Sequence, residues 1–348
     1  MDPALNQALF FPIREAPAYN SLTEIAPGVR WLRLALPFQL NHINIYLIED
    51  EGGWALWDTG IGDDRTIAAW EELLEGQLKG QEITKVISSH FHPDHMGMAG
   101  WLQRRMHMKF WMSQAEYIFC LVNAAHAGGM SRESYRNFLM SHGFDDVLSE
   151  KLVVRGQAYL DLITGVPPHY NRLKHGDTMR IGGRTFQVMT GGGHALEHLM
   201  FYCAADNFLL IGDQVLAKIT PNISVNPLEP NGNPLGDYLA SLDMLRGNVP
   251  DDVLVLPAHN LPFRGLHKRA DQMVAHHAER CDMISKALSN GEVVTSEKLV
   301  PVVFPRPLDP HQLGFAFSEV LAHVNLMLWD GRLKREIGPD RIYRVRTA

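Results

Sequence analysis

The sequence predicts an α+β fold in which two β-rich halves pack sheet against sheet with helices outside, and three observations carry that reading. Apolar residues alternate with period two from Val29 to Asp58. A helix-length amphipathic segment then leads into a strand that ends in a run of histidines. Short apolar runs bounded by turn residues begin again at Arg184, so the chain repeats the cycle.

In order, VRWLRLAL, INIYLIE and WALWD read as strands, with Glu49 to Gly53 as a hairpin turn. Thr66 to Leu78 has helical spacing and is expected to stop at Gly80, before the strand Ile83 to Ser88. Ser113 to about His175 lacks strand alternation and reads as a helical insertion or lid (AEYIFCLVNAAHA, RESYRNFLMSHG, DVLSEKLVVRGQAYLDLI). Arg184 to Thr190, Leu199 to Cys203, Phe208 to Ile211 and Val253 to Leu256 are the strands of the second half, with a helix from Pro234 to Leu245. From about Leu266 the character changes. A long helix, His267 to Asn290, is followed by a short helix, a proline-containing loop, a further helix and a terminal hairpin, the order of a small winged-helix-like module. The expected organisation is a catalytic domain over 1–265, with the insertion at about 113–175, and a C-terminal module over 266–348.

Composition narrows the function. A chain of 348 residues with 46% hydrophobic and 20% charged residues is globular rather than disordered or collagen-like. Its net charge of -7, from 32 Lys and Arg against 39 Asp and Glu, gives no global attraction for nucleic acid. Three scattered cysteines build neither a disulfide framework nor a cysteine-rich metal site, which fits a reducing compartment. Met1 to Asn20 holds no apolar run of signal-peptide length, and no stretch approaches the ~18 apolar residues of a membrane span, so a cytoplasmic location is expected. The outlier is 17 histidines.

Four potential ligands, His90, His92, Asp94 and His95, stand within six residues directly after a predicted strand. Alternate positions of an extended segment point the same way, so His90 and His92 can serve one position while Asp94 and His95 turn towards another. Imidazole and carboxylate without cysteine suit borderline divalent metals rather than a closed structural zinc site. His194 follows three glycines, Asp213 ends the run Leu210-Ile211-Gly212, and His259 stands in Leu256-Pro257-Ala258-His259. A buried strand that ends in Asp needs its charge paired or coordinated.

The ordered pattern H-x-H-x-D-H, H, D, H, with Asp58-Thr59-Gly60, resembles the metallo-β-lactamase superfamily over roughly residues 28 to 265. The resemblance implies an αββα sandwich with two metals between its sheets. It implies His90, His92 and His194 on one metal, Asp94, His95 and His259 on the other, and Asp213 bridging. Asp58 would orient a ligand imidazole, and His198 matches a family histidine that is not normally a ligand. Zinc is the first expectation, with iron or manganese as alternatives.

Two divalent metals sharing a carboxylate would hold a water or hydroxide between them, acidified to a pKa of around 7. Hydrolysis is therefore the expected reaction, with Asp94 and Asp213 as catalytic residues. Asp213 stands where the commonest true metallo-β-lactamases carry cysteine, and His92 where flavodiiron-type members carry glutamate. The ligand set is most similar to hydroxyacylglutathione hydrolases (glyoxalase II), lactonases and thioesterases, though the basic glutathione-gripping tail residues have no counterpart. The added module resembles the β-lactamase-like protein 2 group, some of which cleave RNA. Glu292 to Ala348 holds eight Lys or Arg against seven Asp or Glu, too balanced for tracking phosphates.

The expectation is a small ester, thioester or lactone as substrate, with a metal-dependent phosphodiesterase or endoribonuclease, and a metal-binding regulatory protein without turnover, as alternatives. Partners are expected to be a small molecule and a second copy of the chain, not nucleic acid or a membrane. Candidate pocket residues are His42, Phe91, Tyr170 and Asn222, with Phe119, Leu121, Tyr135, Phe138 and Tyr159 of the insertion as core or pocket wall. The tail is expected to complete the pocket or form a dimer contact.

Overall fold

The computed structural model describes residues 9–126, 128–156 and 159–348. Residues 1–8 of the stretch read for a leader, and positions 127, 157 and 158 within the helical readings, lie outside the described residues.

Period-two segments build the first sheet. Strands β1 (Leu22–Ala26), β2 (Val29–Ala35), β3 (His42–Asp50) and β4 (Gly53–Trp57) are antiparallel neighbours, and β5 (Glu82–Ile87), β6 (Lys109–Ser113) and β7 (Asn171–Leu173) extend the sheet in parallel. Parallel neighbours need crossovers. They are α1 (Asp64–Glu75), α2 (Pro93–Met96) with α3 (Ala99–Met106), and the insertion helices α4 (Gln114–Ala125), α5 (Arg132–Ser141) and α6 (Asp146–Gly156). The Asp63 side chain caps α1 by accepting from the Thr66 N–H, and the helix ends at Gly76 rather than Gly80. The insertion is not wholly helical: its last residues return to the sheet as β7, three residues too short to show alternation.

The second sheet runs in the order β12-β11-β10-β9-β8, from β8 (Thr178–Ile181), β9 (Arg184–Gly191), β10 (His198–Cys203), β11 (Phe208–Gly212) and β12 (Leu254–Pro257). Helix α7 (Pro234–Asn248) makes the parallel crossover from β11 to β12. The tail comprises α8 (Leu266–Ala287), α9 (Val300–Val303), α10 (Pro310–Trp329) and the hairpin β13 (Leu333–Ile337) with β14 (Tyr343–Thr347).

Three layers of apolar packing make this the αββα arrangement. Between the sheets, Trp31, Tyr46 and Trp57 meet Phe186, Phe201 and Phe208. Outside the first sheet, Ile45, Leu47 and Leu56 pack on Trp70 and Leu73 of α1 and Leu102 of α3. Strands covered on both faces lose the polar half of their alternation, which is why β3 is apolar from Ile43 to Ile48 apart from Asn44. Outside the second sheet, Met200, Leu209 and Ile211 share one core with Leu242 of α7, Met273 of α8, Phe317 of α10, and Phe138 and Leu152 of the insertion. Each fully buried aromatic there is worth about 3–5 kcal/mol against alanine. Insertion and tail are thus welded to the same face. Among the described residues no helix is long and apolar enough to cross a membrane.

Candidate metal centre

The candidate ligand positions follow the C-terminal ends of β5, β9, β11 and β12, where the two sheets face each other. After β5 ends at Ile87 the chain bends at Ser89 to His92, and Pro93 at the first position of α2 sets the turn that carries Asp94 and His95 inward. Gly193 (φ +102°) lets the His194 loop pass α7 where a Cβ would stand 2.4 Å from that of Tyr238. Gly212 (φ +54°) sits where a Cβ would approach His198 Cε1 to 2.5 Å, so Asp213 and His198 share this space only beside a glycine.

The side chains converge. His90 Nε2 lies 2.8 Å from His92 Nδ1 and 3.3 Å from His194 Nε2. Asp213 Oδ2 is 3.4 Å from His194 Nε2 and 3.5 Å from His95 Nε2, and its Oδ1 is 3.3 Å from His259 Nε2. Asp94 Oδ2 is 3.4 Å from His259 Nε2 and 3.6 Å from His95 Nε2. Three groups could each hold a cation: His90, His92 and His194; His90, His95 and Asp213; and Asp94, His95 and His259. Asp213 lies between the two outer groups, within 3.5 Å of His95, His194 and His259.

Two features of the donor set fit divalent metals. Three ring nitrogens face one another where a folded protein normally sets donor against acceptor, and buried His95 Nε2 has no hydrogen-bond partner among the described residues. The opposite ring nitrogens are tied outward: His194 Nδ1–H donates to the Asn222 carbonyl at 2.8 Å, and His259 Nδ1–H to the His42 carbonyl at 2.7 Å. A carbonyl only accepts, so Nδ1 keeps its proton and Nε2 is the nitrogen turned inward. Buried Asp58 does the same for His95, with Oδ2 2.9 Å from Nδ1, while its carboxylate accepts from the Ser89 N–H at 2.7 Å.

Electrostatics follow from this crowding. Burial pulls the His259 pKa down, but Asp213 and Asp94 outweigh it and raise the imidazole to about 10. Burial pushes Asp94 up, but His95 and His259 outweigh it and bring the carboxyl to about 2. A raised imidazole pKa stabilises the metal-free fold fully below about 6.5, and that contribution is lost as pH rises through the folded value near 10. A metal must displace the same proton. Metal affinity is therefore expected to tighten, with proton release, as pH rises from 6 to 9, and the chelated protein to lose melting temperature over pH 7–10 while the loaded protein holds it. Thermal unfolding with and without chelator, and calorimetry in two buffers, check this.

His198 stacks on His90 at 4.7 Å between centroids and accepts from the Asp213 N–H at 3.1 Å through Nε2. A cavity of about 400 Å³ opens onto His92 and His194. Phe91, Phe119, Tyr135 and Asn222 line it, with Pro310, Gly314 and Phe315 of α10, so the tail contributes a wall. His42 and Tyr170 are not among its lining residues. His42 is buried and accepts from the Asn260 N–H at 2.9 Å, supporting the loop that bears His259, and Tyr170 stacks on Tyr117 at 3.9 Å. Phe138 and Tyr159 are buried, Leu121 is exposed, and the Tyr159 hydroxyl donates to the Phe91 carbonyl at 2.8 Å.

Sequence reasoning missed Glu116. It is fully buried, and its carboxylate accepts from the Phe91 N–H at 2.9 Å and the Glu197 N–H at 2.7 Å, joining the two histidine-bearing loops. Burial pushes its carboxyl up to about 7 despite those two bonds. A lone acid on the apolar helix QAEYIFCLVNAA was the available signal.

The profile of the metallo-beta-lactamase superfamily matches residues 39–259, and that of the metallo-beta-lactamase-like C-terminal domain matches residues 281–348. A beta-lactamase domain protein from Burkholderia ambifaria, of known crystal structure, is 39% identical with a TM-score of 0.91, over 99% of this chain and 100% of its own. The Bacillus subtilis protein named "Probable metallo-hydrolase YqjP" is 23% identical over 85% of this chain and 91% of its own length. A hydroxyacylglutathione hydrolase from Yersinia enterocolitica is 30% identical over 30% of this chain and 40% of its own. With the matched profile spanning the strands and loops that bring the histidines and aspartates together, the chain belongs to the metallo-β-lactamase superfamily.

Proposed function

We propose that this protein is a dinuclear metal-dependent hydrolase of small esters, thioesters or lactones. His90, His92 and His194 would hold one divalent ion, Asp94, His95 and His259 the other, and Asp213 both, with zinc as the first choice. Bound there, the ions supply Lewis acidity and lower the pKa of a coordinated water to about 7. Asp94 meets His95 and His259 through Oδ2, so Oδ1 is left to take the proton from the attacking water and return it to the leaving thiolate or alkoxide. Asp58, His42 and Asn222 keep three imidazoles turned so that Nε2 faces the reaction.

The observation that carries the substrate class is the wall of the cleft. It combines Phe91, Phe119, Tyr135 and Phe315 with amides, hydroxyls and the carboxyl groups of Glu229 and Asp237, and among the described residues no Lys or Arg lines it. Phosphate recognition recruits those cations, so the lining favours an uncharged acyl or aryl group over a polyanion. The partial similarity to a hydroxyacylglutathione hydrolase supports acyl transfer to water.

Zinc-loaded protein assayed against thioesters, lactones and bis-p-nitrophenyl phosphate tests the proposal. Turnover of an ester-class substrate at least ~100-fold above the phosphodiester is expected, on the scale of a few kcal/mol of discrimination. Turnover of the phosphodiester alone favours a nuclease, and tight ligand binding without any turnover favours a regulatory protein.

A further inference from the structure

We infer that Glu319 of α10 is a positioning residue for His194, acting through Asn222, so that the tail helix holds one side of the metal centre in register. The inference rests on the proposal that His194 binds a metal. His194 owes its ring orientation to the Asn222 carbonyl, 2.8 Å from Nδ1. Asn222 lies in the irregular loop between β11 and α7, where no strand or helix ladder fixes a carbonyl. What fixes it comes from the tail. The Asn222 side-chain amide donates to Glu319 Oε2 at 3.0 Å, and the Ser224 hydroxyl donates to Asn222 Oδ1.

The buried Glu319 carboxylate is held in turn by the Arg280 guanidinium of α8, which lies over the Phe304 ring at 4.7 Å. A buried ion pair stabilises a fold little compared with apolar residues of the same size. What this one provides is an acceptor at a defined point. The same helix grips the loop at further points: the Val225 N–H donates to the Ser318 carbonyl at 3.3 Å, Asn325 Nδ2 donates to the carbonyls of Pro230 and Gly232 at 3.0 and 2.8 Å, and Trp329 Nε1 donates to the Asn231 carbonyl at 3.0 Å.

The chemistry of the link dictates a carboxylate. Asn222 and Arg280 both donate, so only a group that accepts at both oxygens satisfies them. E319Q sets an N–H against a donor. N222D/E319Q reverses the direction of the bond while leaving the net charge of the cluster unchanged, and Ser224 keeps its acceptor.

The test uses the full-length protein. In metal-free protein labelled with ¹⁵N in its imidazoles, His194 of the wild type is expected to carry its proton on Nδ1 alone. E319Q and N222A should show a mixture of tautomers and bind zinc at least ~10-fold more weakly at that position, the scale seen for outer partners of metal ligands. On the ester-class substrate, kcat should fall ~10-fold or more with KM within about threefold, and N222D/E319Q should recover most of the loss. Should E319Q fail to fold, N222A and the double variant carry the comparison. A single Nδ1–H tautomer in N222A, or a loss in N222D/E319Q equal to the sum of the losses in N222D and E319Q, overturns the inference. Absence of hydrolysis in every variant would instead reject the proposed activity, while the tautomer and zinc measurements still judge the role of Glu319.

Discussion

Replacing Asp213 with alanine is expected to remove one of two bound ions and to lower ester-class turnover by at least ~10³-fold, beyond the 10–100-fold typical of an outer partner. The carboxylate is central to the cluster. Its Oδ2 lies 3.4 Å from His194 and 3.5 Å from His95, and its Oδ1 is 3.3 Å from His259. Deleting it leaves five imidazoles and one carboxylate around the two proposed cation positions, so on that proposal neither charge balance nor a shared ligand survives. D213N separates charge from shape: the amide fits the same volume beside Gly212, yet one of its two arms donates and cannot bind a cation. Metal content by mass spectrometry with kcat on the same preparation measures both effects. Two retained ions with near-native turnover in D213A would mean that Asp213 is structural.

Glu116→Ala is expected to destabilise the fold by about 2–4 kcal/mol, because the Phe91 and Glu197 N–H groups lose their acceptor where no solvent reaches Glu116, and each orphaned buried donor costs about 1–3 kcal/mol. E116Q should recover little, since one arm of its amide must point at an N–H. Both changes free the loop of His90 and His92 to move against that of His194, so zinc affinity should fall with stability. Chemical unfolding of chelated and loaded protein checks this; equal losses in E116Q and E116A mark the acceptor geometry as the cause.

How legible the molecule is in its sequence depends on how local the signal is. The ligand run His90 to His95 lies within one turn and its strand, so spacing alone placed four donors together, and a buried Asp after β11 carried its own electrostatic argument. Strands β2 to β5 and β9 to β12 show in their apolar patterning. Short edge strands such as β7 and β8 do not, because three or four residues are too few for a period. The supporting acids were hidden for another reason. Glu116 meets a backbone N–H 81 residues away and Glu319 an amide 97 residues away, pairings set by sheet packing and by the fold of the tail. Their sequence trace is only a carboxylate on an otherwise apolar helix face. His42 reads from sequence as a pocket group because it stands near a core strand, whereas here its ring accepts from the Asn260 N–H and its carbonyl from His259 Nδ1–H, both supporting the His259 loop.

Phe317 of the tail packs edge-on to Phe144 at 4.8 Å and against Phe138 at 6.1 Å, inside the core shared by insertion, second sheet and tail. Close packing leaves no slack for a change of volume on one side alone. A substitution that enlarges or shrinks Phe317 therefore selects for a compensating change at Phe138 or Phe144, and these distant segments should covary across homologues. New substrates would then be acquired by paired changes in insertion and tail, with the histidine cluster between the sheets left as it is.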